Sequence, residues 1–122
     1  MPPVKPAYQY LSVKEADGVA VISFLETAAM MEGDKVEDLG KELFGLIETK
    51  KYTRVLLNFY NAGYMSSAML AQLVRLHRKM QEVKGKVRLC ALRPPVMDAF
   101  KVSKFDRLFE IFPDEEAAMR KF

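Results

Sequence analysis

The chain has 122 residues, a formal net charge of +3, 50% hydrophobic and 29% charged residues, one cysteine and one histidine. This composition is typical of one globular domain. It excludes an internal disulfide and argues against a structural zinc site, because Cys90 and His77 stand alone. The charge is too small to favour nucleic-acid binding, and no apolar run approaches the ~20 residues of a membrane-spanning helix.

The chain is predicted to begin with an extended tail and a β-hairpin. Residues 1–9 contain three prolines and no apolar run typical of a signal peptide, so the folded domain is predicted to span 10–122. Strand patterns follow at 10–15 and 19–25, joined by Asp17-Gly18, which is a strong hairpin signal. The second pattern has apolar residues on both faces, which is typical of a central strand.

The remaining segments alternate between helix and strand patterns. After an aperiodic loop, the predicted elements are a helix at 34–50, a strand at 54–59, a helix at 66–84, a strand at 86–92, a short helix from 94, a strand at 108–111 and a closing helix from 113. Gly85 is interpreted as a helix stop, and close packing against the sheet would explain Gly40 and Gly45. These elements predict an α/β domain whose mixed, mostly parallel sheet is covered by about four helices.

Two serines stand where the strand at 54–59 leads through a turn into the main helix. A helix start has free N–H groups and a partial positive charge. A hydroxyl there either caps the helix or is a place where an added phosphate is tolerated. Ser66 is the better candidate for the cap, although Met69 rather than Glu stands three residues later and leaves the capping box incomplete.

Three stretches occur in a recognisable order: VLLNF at 55–59 with YMSS at 64–67, GKVRLCALRPPV at 85–96, and FDRLFEIF at 105–112. Together they resemble the STAS domain family of bacterial anti-sigma factor antagonists, over roughly 10–122. The resemblance implies a cytoplasmic binding protein without enzymatic activity or cofactor. Such a protein binds an anti-sigma factor of the serine kinase type and thereby releases a sigma factor.

The resemblance also implies a regulatory site. The family usually carries Asp-Ser-Ser/Thr-Gly at this strand–loop–helix junction, and the anti-sigma factor phosphorylates the first hydroxyl after the Asp. In this chain the Asp position is Ser66, the acceptor is Ser67, the second hydroxyl is replaced by Ala68 and the Gly by Met69. Phosphorylation at Ser67, with Ser66 as the alternative, would add about −1.5 to −2 charges and release the partner.

The partner-binding surface is expected around these serines. It would comprise Tyr64, Met65, Ser66, Ser67, Ala68 and Met69, with Met30 and Met31 from the earlier loop. Packing in the core is the competing interpretation for Tyr64, Met65 and Met69. An exposed rim of this kind could equally support a homodimer.

Other interpretations stay open. The domain could be an adaptor or scaffold subunit of a signalling or transport assembly, in which Ser67 is never modified. A small-ligand or nucleotide-binding domain is a third interpretation, although no Gly-rich phosphate loop supports it. His77 and Cys90 are interpreted as packing residues. Arg75, Arg78 and Lys79 are most simply a solvated helix face, with a patch for a nucleotide or an acidic partner as the alternative.

Overall fold

The computed structural model describes residues 10–25, 34–120 and 122. Its elements are β1 (Leu11–Ala16), β2 (Val19–Phe24), α1 (Asp34–Glu48), β3 (Arg54–Asn58), α2 (Ser67–Glu82), β4 (Lys86–Cys90), α3 (Pro94–Ser103), a 3-10 turn (Phe105–Arg107), β5 (Glu110–Phe112) and α4 (Glu115–Met119). This order confirms the predicted α/β class. The predicted tail at 1–9 and the loop holding Met30 and Met31 lie outside the described residues.

The five strands form one mixed sheet in the order β1-β2-β3-β4-β5. β1 and β2 are antiparallel, whereas the three following pairs are parallel. Asp17 and Gly18 both have positive φ, 52° and 78°, as the two-residue turn of a twisted hairpin requires. Because the parallel strands follow one another in order and crossovers are right-handed, α1, α2 and α3 cover the same face.

That face carries the main core. The sequence of α2 has an apolar stripe at helical spacing, and it is buried there, with Met69, Leu73, Leu76 and Met80 all at most 6% exposed. α3 contributes its own buried side chains to the same core, at positions 96 and 100. The apolar pattern of this helix also predicts an inward-facing Met97, which the structure shows to be only partly buried.

The opposite face is partly covered by α4, which is held there by Arg88. The guanidinium of this buried residue donates hydrogen bonds to the carbonyl oxygens of Ala118 (2.9 Å) and Arg120 (2.8 Å). It also lies 5.1 Å from the ring centre of Phe112 and 4.6 Å from that of Phe122. The Arg88 side chain therefore connects β4 to the final helix and to Phe122 beyond it.

The last strand starts later than expected. The sequence pattern places it at 108–111, whereas the structure has it at Glu110–Phe112, preceded by the 3-10 turn. Leu108 is consequently 41% exposed rather than inside a strand. The helix predicted from 113 begins at Glu115, with Asp114 as its N-cap accepting a hydrogen bond from the backbone N–H of Ala117 at 2.8 Å.

Two glycine interpretations need correction. The residue with left-handed backbone after α2 is Lys84, with φ of 56°, and Gly85 is needed for space instead. A Cβ at Gly85 would lie 2.7 Å from the carbonyl oxygen of Thr53. Gly40 packs against Gln72 of α2 rather than against the sheet, and a Cβ at Gly45 would meet nothing within 4 Å.

No helix in the described ranges is long and apolar enough to cross a membrane.

Candidate functional site

The turn after β3 is anchored by short hydrogen bonds. The side-chain oxygen of Asn58 accepts a bond from the backbone N–H of Tyr60 at 2.8 Å, and the Ala62 N–H donates to the Phe59 carbonyl at 2.9 Å. The Asn61 amide donates to the Phe24 carbonyl of β2 at 3.2 Å. Phe59 itself is fully buried. The turn is therefore positioned by the carboxyl ends of two adjacent strands.

Arg93 fixes the outer side of the same turn. Its Nε donates to the Tyr60 carbonyl at 2.7 Å, and its guanidinium lies 5.2 Å from the centre of the Tyr60 ring. Neither Arg93 nor Tyr60 was among the residues predicted to bind a partner. One signal was available, because a residue that precedes proline is restricted to extended backbone, and Arg93 comes directly before Pro94-Pro95.

Ser66 is the N-cap of α2, as predicted. Its hydroxyl accepts a hydrogen bond from the backbone N–H of Met69 at 3.1 Å, and its own backbone is extended. Ser67 is the first residue of α2 and is exposed. Within the described part of the chain, its hydroxyl has no hydrogen-bond partner. The two neighbouring hydroxyls are thus in different situations, one bonded to the backbone and one open to solvent.

The residues expected to bind a partner are divided between the surface and the core. Tyr64 is 53% exposed, and Ala68 is exposed beside Ser67. Met65 and Met69 are instead 8% and 6% exposed. The expectation that these two form part of an exposed rim is wrong, because Met69 belongs to the buried stripe of α2 and Met65 packs beside it.

These two methionines line a small apolar depression beneath the turn, together with Phe24, Leu39, Phe59, Ala62 and Tyr64. Its volume is about 10 Å³, room for about one water molecule at most. It is therefore a packing feature and not a ligand pocket. Met30 and Met31 cannot be compared with it, since they lie outside the described residues.

The exposed part of the junction also includes Tyr60, which is 65% exposed. We use the name junction surface for Tyr60, Tyr64, Ser67, Ala68 and Arg93. It presents two aromatic rings, a guanidinium and a hydroxyl. Such a set suits protein–protein binding, because Tyr and Arg are frequent anchors at interfaces.

The electrostatics of the junction surface would accept a phosphate. The first turn of α2 contains no acidic residue. The helix dipole places partial positive charge at Ser67, where a negatively charged group is stabilised. With Ser66 in place of the Asp that the family resemblance predicts, no carboxylate stands directly before Ser67.

Two other groups considered from the sequence are packing residues. The Cys90 side chain is fully buried, and burial, followed by the charges of Glu115 and Asp114, raises the pKa of its thiol from 9.0 to about 12. The ring of His77 lies edge-on to Phe109 at 5.3 Å. Among the described ranges, no three His, Cys, Asp or Glu side chains lie close enough together to hold a metal ion.

Comparisons with known proteins agree with this architecture. Residues 10–118 match the family model described as STAS domain. The chain is 30% identical over 112 residues to BtrV of Bordetella bronchiseptica, which is assigned as an anti-sigma factor antagonist; the match covers 92% of this chain and 93% of BtrV.

Two solved structures have the same fold at low sequence identity. A Thermotoga maritima protein assigned as an anti-sigma factor antagonist has a TM-score of 0.80 at 17% identity, covering 91% of this chain and 92% of its own. The phosphorylated form of the Bacillus cell fate determinant SpoIIAA has a TM-score of 0.64 at 19% identity, covering 90% of this chain and 97% of its own.

Proposed function

Because the chain belongs to the STAS domain family, we propose that it is an anti-sigma factor antagonist that works by binding. Its partner is an anti-sigma factor of the serine kinase type, and formation of the complex releases a sigma factor in the cytoplasm. The relative with the highest identity reported above carries the same assignment. No reaction is assigned to the domain itself.

The junction surface is the proposed contact with the anti-sigma factor. Its two tyrosines are more than half exposed, at 65% for Tyr60 and 53% for Tyr64. The backbone of Tyr60 is held by hydrogen bonds with Asn58 and Arg93, so little conformational entropy is lost at this residue when a partner binds. Arg93 contributes both by supporting Tyr60 and by presenting a cation to the partner.

Phosphorylation of Ser67 is the proposed switch. This proposal rests on the different surroundings of the two serines. Ser66 caps α2, whereas the Ser67 hydroxyl is exposed at the first helical position. A phosphate there would be stabilised by the helix start, yet it would place about two negative charges inside the contact. Desolvating that charge against a partner surface that does not compensate it would weaken binding.

A constitutive adaptor is the second candidate function. It is favoured by the departures from the family's motif, since the Gly position holds the buried Met69 and the Asp position holds Ser66. In that case the junction surface binds its partner permanently, and Ser67 is never modified.

The deciding experiment combines mass spectrometry with affinity capture from the native cell. Intact mass and phosphosite mapping of the isolated protein should find phosphate on Ser67. Baits carrying Ser67→Ala should co-purify a kinase-like anti-sigma factor, and Ser67→Asp should lose it, with Ser66→Ala as the matched control that retains the partner. If the Ala and Asp variants of Ser67 capture the partner equally and no phosphate is found under any growth condition, the proposed switch is wrong and the constitutive adaptor is supported.

A further inference from the structure

A second surface lies at the far end of α2. A cavity of about 420 Å³ adjoins another of about 330 Å³, and both have Glu48 and Lys79 in their walls. The two adjoining cavities lie between the C-terminal halves of α1 and α2, and we call them together the α1–α2 groove. Its lining on α2 runs from Arg75 to Val83, which lie 8 and 16 positions after Ser67, roughly 12 to 24 Å along the helix axis at the usual rise per residue. The groove is therefore separate from the junction surface.

The larger part of the groove offers apolar contact. Ile47, Tyr52 and Val83 form its apolar walls, and Val83 is 40% exposed although it is aliphatic. The Tyr52 hydroxyl donates a hydrogen bond to the carboxylate of Glu15 at 3.0 Å, which holds the ring in place. Its volume falls within the ~300–1,000 Å³ range of ligand sites and would accommodate one large apolar side chain.

The smaller part of the groove is basic. Lys79 pairs with Glu48 at 3.3 Å, so these two charges compensate each other. The Arg75 guanidinium lies 5.6 Å from the centre of the Phe44 ring. Within the described part of the chain, neither Arg75 nor Arg78 forms an ion pair with a carboxylate. Both arginines are exposed on α2, three residues apart and hence on one side of the helix.

We propose that the α1–α2 groove binds an acidic peptide segment of a second partner protein. One large aliphatic or aromatic side chain of that segment would occupy the larger cavity beside Tyr52 and Val83. Carboxylates next to it would bind Arg75 and Arg78, for which an arginine fork is well suited. The proposal does not depend on the function assigned to the junction surface.

A protein segment suits this groove better than a nucleic acid or a nucleotide. Glu82 belongs to its walls and has no ion pair in the described part of the chain, so its carboxylate would repel a ligand that carries a phosphate at each position. An acidic peptide places its charges only at chosen side chains and can present an apolar group between them. Because roughly 12 to 24 Å along α2 separates the residues lining this groove from Ser67, the domain could bind two partners at once.

The test uses a fluorescein-labelled pentapeptide with phenylalanine between two glutamates on each side. Fluorescence anisotropy at low salt should show saturable binding to the full chain, and the binding should weaken with added salt. A matched peptide with glutamine in place of every glutamate should bind at least tenfold more weakly. Amide shifts in NMR spectra should move at 44–53 and 75–83, and those at 60–68 should stay unchanged.

Variants distinguish peptide binding in the groove from a general effect of the protein's charge. Arg78→Glu and Val83→Asp should each weaken peptide binding at least tenfold, whereas Lys101→Glu, which changes an exposed cation on α3, should not. Arg75→Gln is the second basic variant, to be used if either substitution lowers thermal stability.

Equal binding of both peptides, or equal binding by Arg78→Glu and Lys101→Glu, would overturn the proposal. Displacement of the peptide by ATP or a 12-nucleotide single strand at lower concentration than unlabelled peptide would overturn it too, because phosphate would then be the preferred ligand.

Discussion

The hydroxyl of Ser66 accepts a hydrogen bond from the backbone N–H of Met69 at 3.1 Å. The resemblance described under Sequence analysis aligns Ser66 with a position at which the family usually has Asp. Ser and Asp are about equally good N-caps, so the start of α2 is preserved while one negative charge is removed. The structure of the junction therefore depends on the cap by Ser66, whereas its proposed regulation depends on Ser67.

Loss of the cap should lower stability in a specific way. Ser66→Ala should reduce the free energy of unfolding by about 1 kcal/mol, whereas Ser66→Asp should change it little. Ser67→Ala is the matched control and should have almost no effect, because its hydroxyl makes no hydrogen bond in the described part of the chain. Urea denaturation measures all three. An equal loss for Ser66→Ala and Ser67→Ala would contradict the assignment of the cap.

Arg88 should be the most important polar residue for the position of α4. Arg88→Met keeps an apolar stem but removes the donors to the carbonyls of Ala118 and Arg120. We expect the free energy of unfolding to fall by about 2 kcal/mol, the scale of hydrogen bonds with a charged donor. Amide exchange at 115–119 should accelerate. The control is Arg120→Met, since that side chain is 72% exposed and its ion pair with Glu116 lies at the surface.

Two glycine-to-alanine substitutions should have opposite effects. Gly85→Ala would place a Cβ 2.7 Å from the Thr53 carbonyl oxygen, and relieving that clash should cost about 2 kcal/mol of folding stability. Gly45→Ala lies inside α1 with open space around the new methyl group, so it should stabilise the fold by about 1 kcal/mol. Thermal unfolding of the two variants beside the parent chain decides this. Destabilisation by both would show that α1 packs differently.

The Cys90 thiol should be unreactive and should affect the pH dependence of stability. Burial, followed by Glu115 and Asp114, raises its pKa from 9.0 to about 12. The unfolded thiol loses its proton above pH 9 and the folded one only near pH 12. Between these values the unfolded state binds fewer protons, so this residue's contribution to stability is complete below pH 9 and is lost as pH rises towards 12.

Measurement of the Cys90 effect needs one matched variant. The free energy of unfolding of the parent chain should fall more steeply than that of Cys90→Ala between pH 8 and pH 10. Iodoacetamide at pH 8 should label the thiol only in denaturant. Parallel pH curves for the two proteins, or rapid labelling of the folded chain, would mean that the thiol is accessible.

Arg93 should position the turn that carries Tyr60. Arg93→Ala removes the 2.7 Å hydrogen bond to the Tyr60 carbonyl and the contact with its ring. Amide exchange at 60–63 should become faster, while global stability should change by less than about 1 kcal/mol, because the residue is exposed. Arg107→Ala, another exposed arginine, is the control. If the junction surface binds the anti-sigma factor, Arg93→Ala should also weaken capture of that protein, and Arg107→Ala should not.

Local features of this chain could be predicted from the sequence. The hairpin turn at Asp17-Gly18, the buried stripe of α2 and the cap by Ser66 each depend on residues within a few positions of one another. Backbone preference and helical periodicity are sufficient for such features. The predicted start of the last strand was wrong, because the 3-10 turn at Phe105–Arg107 precedes a strand that begins only at Glu110. The tight space at Gly85 was not predictable either, because its neighbour is the distant Thr53 carbonyl.

The candidate site was predictable only in part. The position of Ser67 at a strand–loop–helix junction follows from the sequence pattern. The burial of Met65 does not, because a methionine serves equally well in a core and at an exposed interface. The contribution of Arg93 could not be found from spacing alone, since 33 residues separate it from Tyr60, the residue that it holds.

The sequence by itself determined the order of the elements, the face that each helix buries and the two hydroxyls at the start of α2. These properties follow from the periodicity of apolar side chains and from local capping, which involve only neighbouring residues. The tertiary structure alone decided which side chains of the junction are exposed, how Arg88 holds α4, and that α1 and α2 leave a basic groove between them. Such features arise between segments distant along the chain, where packing and not local preference sets the surroundings of each residue.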